Sequence, residues 1–232
     1  MELGPEELEA IRLSVKVALW SVALSVPFAV AVALLLARVD FPGKILFDAV
    51  VHLPLVLPPV VVGYFLLILM GRNGVIGGFL EQYFGLVFAF RWTGAALAAA
   101  VMGFPLMVRA IRLSVEAVDR RLESAAATLG ASPAGVFFSV TLPLILPGIV
   151  TGGLLSFARS LGEFGATITF VSNIPGETRT LPIAIYTFTQ VPGGDTQALR
   201  LSLIAVALSL VVLFASELLV RRANRRMLGK DA

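Results

Sequence analysis

The stretch Asp119-Arg-Arg-Leu-Glu-Ser-Ala-Ala-Ala-Thr-Leu-Gly130-Ala-Ser-Pro-Ala-Gly-Val-Phe-Phe-Ser-Val-Thr-Leu-Pro143 decides the architecture of this chain. Physically it reads as helix, turn, helix. Asp119 stands where an N-cap is needed, and Leu122, Ala125, Ala126 and Leu129 recur at i, i+3, i+4 and i+7 on one face. Gly130 supplies the positive φ that stops a helix. Ser132-Pro133 then reads as an N-cap followed by proline at the first helical position, and Pro143 is expected to open the next apolar segment. A small, alanine-faced helix suits a groove on another protein, because little side chain separates the two backbones.

On either side the chain is strongly apolar. Hydrophobic residues make up 58% of the 232 and charged residues only 14%, with a mean hydropathy of +0.93. Soluble domains average about 45–50% apolar and about 25% charged. There is too little charge here to solvate a globule, so the chain reads as an all-α, polytopic membrane protein. A span needs about 20 mainly apolar residues. Five segments qualify, at 17–39, 53–71, 92–108, 142–158 and 201–220, within one transmembrane domain covering 1–232. Pro27, Pro58, Pro59, Pro105 and Pro147 fall inside them and are tolerable where neighbouring helices satisfy freed carbonyls. Phe79–Phe90 and Leu181–Val191 are apolar but too short to span, and are expected to be interfacial or re-entrant. No interval between spans is long enough for a soluble domain with its own core. Any partner function that needs such a domain belongs to another chain.

Lysine and arginine are distributed unevenly about these spans. Arg38, Lys44, Arg109, Arg112, Arg120, Arg121, Arg221, Arg222, Arg225, Arg226 and Lys230 fall on the side that holds 119–142. Arg72, Arg91 and Arg179 fall on the other side, joined at most by Arg12, Lys16 and Arg200. Cytoplasmic loops are enriched in these residues, so the N-terminus is expected outside and the C-terminus in the cytoplasm. Glu2, Glu6, Glu7 and Glu9 precede any cation, unlike a secretory signal, so the first apolar segment is expected to persist as a span. The net charge of +3 thus reads as topology and not as a nucleic-acid surface.

Catalytic chemistry is missing. Neither Gly43-Lys44 nor Gly229-Lys230 belongs to a phosphate loop, there is no HExxH, and the absence of cysteine removes thiolate sites. His52, beside Pro54, reads as a boundary residue in preference to a proton relay. No catalytic residue, metal or cofactor is expected. Uphill movement of a solute would draw its energy from elsewhere.

The loop resembles the "EAA" loop of ABC-importer permeases, whose pattern is Glu-Ala-Ala, three residues, Gly, nine residues, Ile-x-Leu-Pro. Ala125, Ala126, Gly130, Val140, Leu142 and Pro143 match it in spacing. The glutamate position is Ser124, with Glu123 one residue earlier and preferred as the acidic contact. Phe-Pro-Gly-Lys44, the run from His52 to Gly63, the run from Phe104 to Arg112, and Ser-Leu-Gly-Glu-Phe-Gly-Ala-Thr167 resemble the sulfate/molybdate branch of that family. Phe170-Val-Ser-Asn-Ile-Pro-Gly-Glu-Thr-Arg-Thr180 resembles its molybdate members. The resemblance implies a type I importer permease fold in a bacterial or archaeal inner membrane, acting by alternating access. It implies molybdate import, with tungstate or sulfate as alternatives. It also implies two permease copies, two cytoplasmic ATP-hydrolysing subunits docked at this loop, and an external binding protein.

Arg159 and Glu163 lie at i, i+4 just past the apolar part of the fourth segment. A charge near the bilayer centre costs about 2.5–3.5 kcal/mol, and an i, i+4 pair returns only about 0.2–0.5 kcal/mol. Both groups should therefore face a cavity, the bundle interior or a second subunit. Either they form a pathway or gate element for an oxyanion, flanked by Gly162 and Gly165, or they are a structural ion pair. Gly148, Gly152 and Ser156 form a small-residue stripe suited to internal packing or to a dimer, with internal packing preferred. The outer loop 172–180, with Asn173, Gly176 and Glu177, could meet a binding protein or act as a plain lid. Two readings from other classes, an ion-coupled secondary transporter and a membrane scaffold, compete. The first needs inverted repeats and midplane carboxylates, and no repeat is evident.

Overall fold

The computed structural model describes residues 4–227, and among these every regular element is helical. α1 (Pro5–Arg38) is followed by α2 (Lys44–Val56), α3 (Pro59–Met70) and α4 (Val75–Phe84). α5 (Trp92–Ala117) leads through α6 (Arg120–Thr128) and α7 (Pro133–Val136) to a π-helical turn at Phe137–Thr141 and α8 (Leu142–Leu161). α9 (Gly165–Val171), α10 (Leu181–Thr189) and α11 (Asp195–Met227) complete the chain. The side chains of Arg221, Arg222, Arg225 and Arg226, and all of Lys230, lie outside the described residues.

Among the described residues, four helices are long and apolar enough to cross a membrane, and α1 alone, with 34 residues, is about 50 Å long. The segment at 53–71 differs from the expectation of a single span. α2 and α3 are bent by 114° at Leu57–Pro58, and their 13 and 12 residues are each too few to cross alone. Two consecutive prolines remove two backbone donors and force the residue before them out of the helical region. Leu57 accordingly sits at φ −71°, ψ 143°. The fourth span differs too. Pro143 does not open it, because the helix runs unbroken from Pro133 to Leu161. The π turn makes this possible: Leu142 N–H donates to Phe137 O, five residues back, which widens the backbone ahead of the pyrrolidine ring.

α5 is the centre of the bundle, packed chiefly against α1 and α8. Its N-terminal half is alanine-rich, and Ala95, Ala96, Ala98 and Ala99 lie against Leu13, Val17 and Phe170. Its C-terminal half packs Met107, Val108, Ile111 and Val115 against Ala29, Ala33, Leu36 and Ile145. Large apolar side chains cover the outside of the bundle as well, including Phe28 on α1 and Leu203 and Phe214 on α11. A helix apolar all round belongs in lipid or against another subunit.

Gly148, Gly152 and Ser156 face α5. A Cβ at Gly148 would collide with the Ser114 side chain, and one at Gly152 would lie 2.9 Å from Met107 O. A Cβ placed at Gly103 would in turn collide with Ser156 Oγ. The stripe therefore lets α5 and α8 approach within one subunit. Gly148→Ala is expected to destabilise the purified chain by about 1–3 kcal/mol through overpacking, seen as a lower thermal midpoint. Adding Ser114→Gly removes the obstructing side chain and is expected to recover most of that loss.

Candidate functional site

The hairpin 119–142 is built almost wholly from local interactions. Asp119 Oδ1 accepts from Arg121 N–H at 2.9 Å and caps α6. Gly130 takes φ +89°, while Ala131 N–H donates to Ala126 O at 3.2 Å, closing α6 with the bond pattern of a Schellman stop. Ser132 Oγ accepts from Gly135 N–H at 3.1 Å ahead of Pro133, which caps α7. None of the residues of α6 is buried. Leu122, Ser124, Ala125 and Pro143 are exposed, Leu129 is 89% exposed, and Ala126 and Leu142 are half-buried. The result is a short helix presenting apolar and alanine surface away from the bundle.

Glu123 is directed elsewhere. Its Oε1 accepts from Arg38 Nη2 at 3.2 Å and from Thr141 Oγ1 at 2.8 Å. The sequence counts Arg38 only among the cations that set topology and gives Thr141 no role. Their separations from Glu123, 85 and 18 positions, carry no local pattern.

The pair Arg159–Glu163 sits where α8 ends. The Arg159 guanidinium lies 2.6 Å from Glu163 Oε2, with side-chain exposures of 29% and 1%. Glu163 Oε1 accepts from the Ala166 amide at 2.8 Å, so the buried carboxylate also holds the start of α9. The enclosed charge is compensated by the Arg159 guanidinium, while Oε1 alone takes a hydrogen bond and Oε2 makes none besides the ion pair. Gly165 packs against the α2–α3 break: a Cβ there would lie 2.8 Å from Pro59 Cβ. A Cβ at Gly63 would lie 2.5 Å from Ala166 O, so α3 and α9 cross nearly backbone to backbone. No side chain would obstruct a Cβ at Gly162. Two interrupted helices thus meet beside one partly exposed guanidinium. Irregular backbone at membrane depth is tolerated only where protein buries it or it lines a watery cavity.

Other polar residues have structural partners. His52 Nδ1 lies 3.0 Å from Asp48 Oδ1, and Arg112 Nη1 lies 3.1 Å from Asp48 Oδ2, joining α2 to α5. In the loop 172–180, Asn173 Oδ1 accepts from Arg179 Nε at 2.8 Å. Glu177 Oε1 accepts from Trp92 N–H at 3.2 Å, and Gly176 takes φ +78°. That loop is pinned over the start of α5.

A polytopic helical chain with a bent pair of short apolar helices and an exposed, capped hairpin fits an importer's membrane component. The chain belongs to the family of binding-protein-dependent transport system inner membrane components, whose model matches residues 25–228. It is 61% identical over 226 residues to the molybdenum transport system permease protein ModB of Escherichia coli, covering 97% of this chain and 99% of that one. It is 39% identical over 228 residues to the sulfate transport system permease protein CysW of Synechococcus elongatus, covering 97% and 78%. Its fold matches a chain of the bacterial alginate ABC transporter solved with its alginate-bound periplasmic protein. There the TM-score is 0.73 at 18% identity, over 94% of this chain and 80% of that one.

Proposed function

We propose that the chain is the membrane-spanning subunit of an ATP-driven importer that carries molybdate inward by alternating access. The observation that carries this reading is the capped, exposed hairpin 119–142 on a chain so like molybdenum permeases along its whole length. In this reading two copies of the chain enclose the pathway, a separate ATP-hydrolysing subunit docks on each hairpin, and an external binding protein delivers the anion. Ser124, Ala125, Ala126, Gly130, Leu142 and Pro143 form or support the docking surface. The N-terminus lies outside and the C-terminus in the cytoplasm, which the lysine and arginine asymmetry supports.

Arg159 is the group that meets the anion, since its side chain stays partly exposed while Glu163 is enclosed. Glu163, held also by the Ala166 amide, fixes the guanidinium beside Gly162 and Gly165. Arginine suits this task because its donors are planar and always charged.

The test is reconstitution of the chain in lipid vesicles with its candidate ATPase and binding protein. Molybdate is expected to stimulate ATP hydrolysis and to accumulate in the compartment that faces the ATPase. Equal stimulation by molybdate, tungstate and sulfate would remove the molybdate assignment and keep the permease. Failure of the chain to retain any nucleotide-binding subunit through 119–142 would favour a scaffold. Uptake driven by an ion gradient without ATP would favour a secondary transporter.

A further inference from the structure

The carboxylate nearest the expected docking surface points into the protein. α6 has no buried residue of its own, and a nine-residue helix is marginal by itself. Without a tether, a push on α6 would bend its turns before it moved the spans. Glu123 Oε1 supplies a tether, because it bonds at once to the last residue of α1, Arg38, and to the last residue of the π turn, Thr141. Thr141 is buried, and the Arg38 and Glu123 side chains are 18% and 24% exposed, so the contact is shielded from full screening by salt. Charge-assisted hydrogen bonds of this kind are the stronger class.

The other end of the tether falls on a yielding point. The π turn closes its hydrogen bond over five residues where the α-helix on either side uses four, and it lies just before Pro143. We propose that Glu123 is a positioning residue, a latch that ties the hairpin to α1 and to the base of α8. Displacement of α6 by the ATPase then moves both spans together. This rests on reading 119–142 as the coupling hairpin, and it moves Glu123 from the docking surface to the transmission path behind it.

The experiment uses the assembled transporter in vesicles, with Arg38→Glu, Glu123→Arg, the double exchange, and Glu123→Gln. Each single reversal is expected to keep the ATPase subunit bound while lowering molybdate moved per ATP hydrolysed by about 10-fold or more, equivalent to about 1.4 kcal/mol. The double exchange is expected to recover the parent ratio to within about threefold. Glu123→Gln, which retains an acceptor for Thr141, should fall between. Loss of the ATPase subunit from Glu123→Arg, with Arg38→Glu silent, would make Glu123 a docking contact and overturn the latch. So would a double exchange no better than the worse single variant. If the reversals do not fold, thermal unfolding of the purified chain carrying Arg38→Ala, Glu123→Ala and both decides the matter. Less-than-additive losses support the latch, and additive losses refute it. A parent assembly without molybdate-stimulated hydrolysis would instead refute the proposed function, leaving the thermal cycle readable.

Discussion

Gly130→Leu is expected to cut ATP-driven uptake by at least about 10-fold while leaving the chain folded in the membrane. The glycine sits at φ +89°, and a Cβ there would meet nothing within 4 Å. Space is therefore not what selects glycine. An L-residue pays about 1–2 kcal/mol for the left-handed region, and the cheapest relief is to rotate the turn between α6 and α7. That strain is small beside the packing of α5 against α1 and α8, so the bundle persists. It acts, however, on the one element that sets the angle between the two helices of the hairpin. A docking surface made of short side chains such as Ala125 and Ser124 tolerates little rotation before the backbones separate. Gly130→Asn provides the control, since asparagine enters this region more readily, and it is expected to keep most of the uptake. Uptake within about twofold of the parent in Gly130→Leu would remove the hairpin from the coupling path.

The ease with which this hairpin could be read has a physical cause. Its cap, stop and second cap, at Asp119, Gly130 and Ser132, each bond within five residues, so spacing alone exposes them. The α2–α3 break is the opposite case. Counting apolar residues across 53–71 is blind to direction, and Pro58-Pro59 looked like tolerated prolines inside a span. Their paired effect on Leu57 turns the chain by 114°. Pro143 misled in the other sense: a proline that usually starts a helix sits well inside one, because the π turn before it absorbs the clash. The Glu123–Arg38 contact joins elements that only tertiary packing brings together, and no periodicity announces such a pair. Arg159 and Glu163 were visible at i, i+4. Their unequal burial and the Ala166 amide were not, since both arise at the turn from α8 into α9, whose own packing is against α3 and α5.

That inequality makes the two halves of the pair respond differently to mutation. Arg159→Ala is expected to destabilise the purified chain by about 3–5 kcal/mol, because it leaves a carboxylate with 1% exposure without its cation. Glu163→Gln should cost much less. Its amide oxygen still accepts from Ala166 N–H, and the released guanidinium, 29% exposed, reaches water. The double variant Arg159→Met, Glu163→Gln removes both charges and is expected to restore the thermal midpoint to near the parent value. Transport then separates the two roles open to this pair. If Arg159 only holds broken helices together, the refolded double variant regains uptake along with stability. If the guanidinium is what draws the anion into the pathway, stability returns and molybdate uptake stays at least about 10-fold low, the loss of a charge-assisted contact to the anion. Arg159→Lys should then retain part of the uptake, as a point charge without the fork geometry. The exposure of Arg159, set against the enclosure of its partner, favours the second outcome.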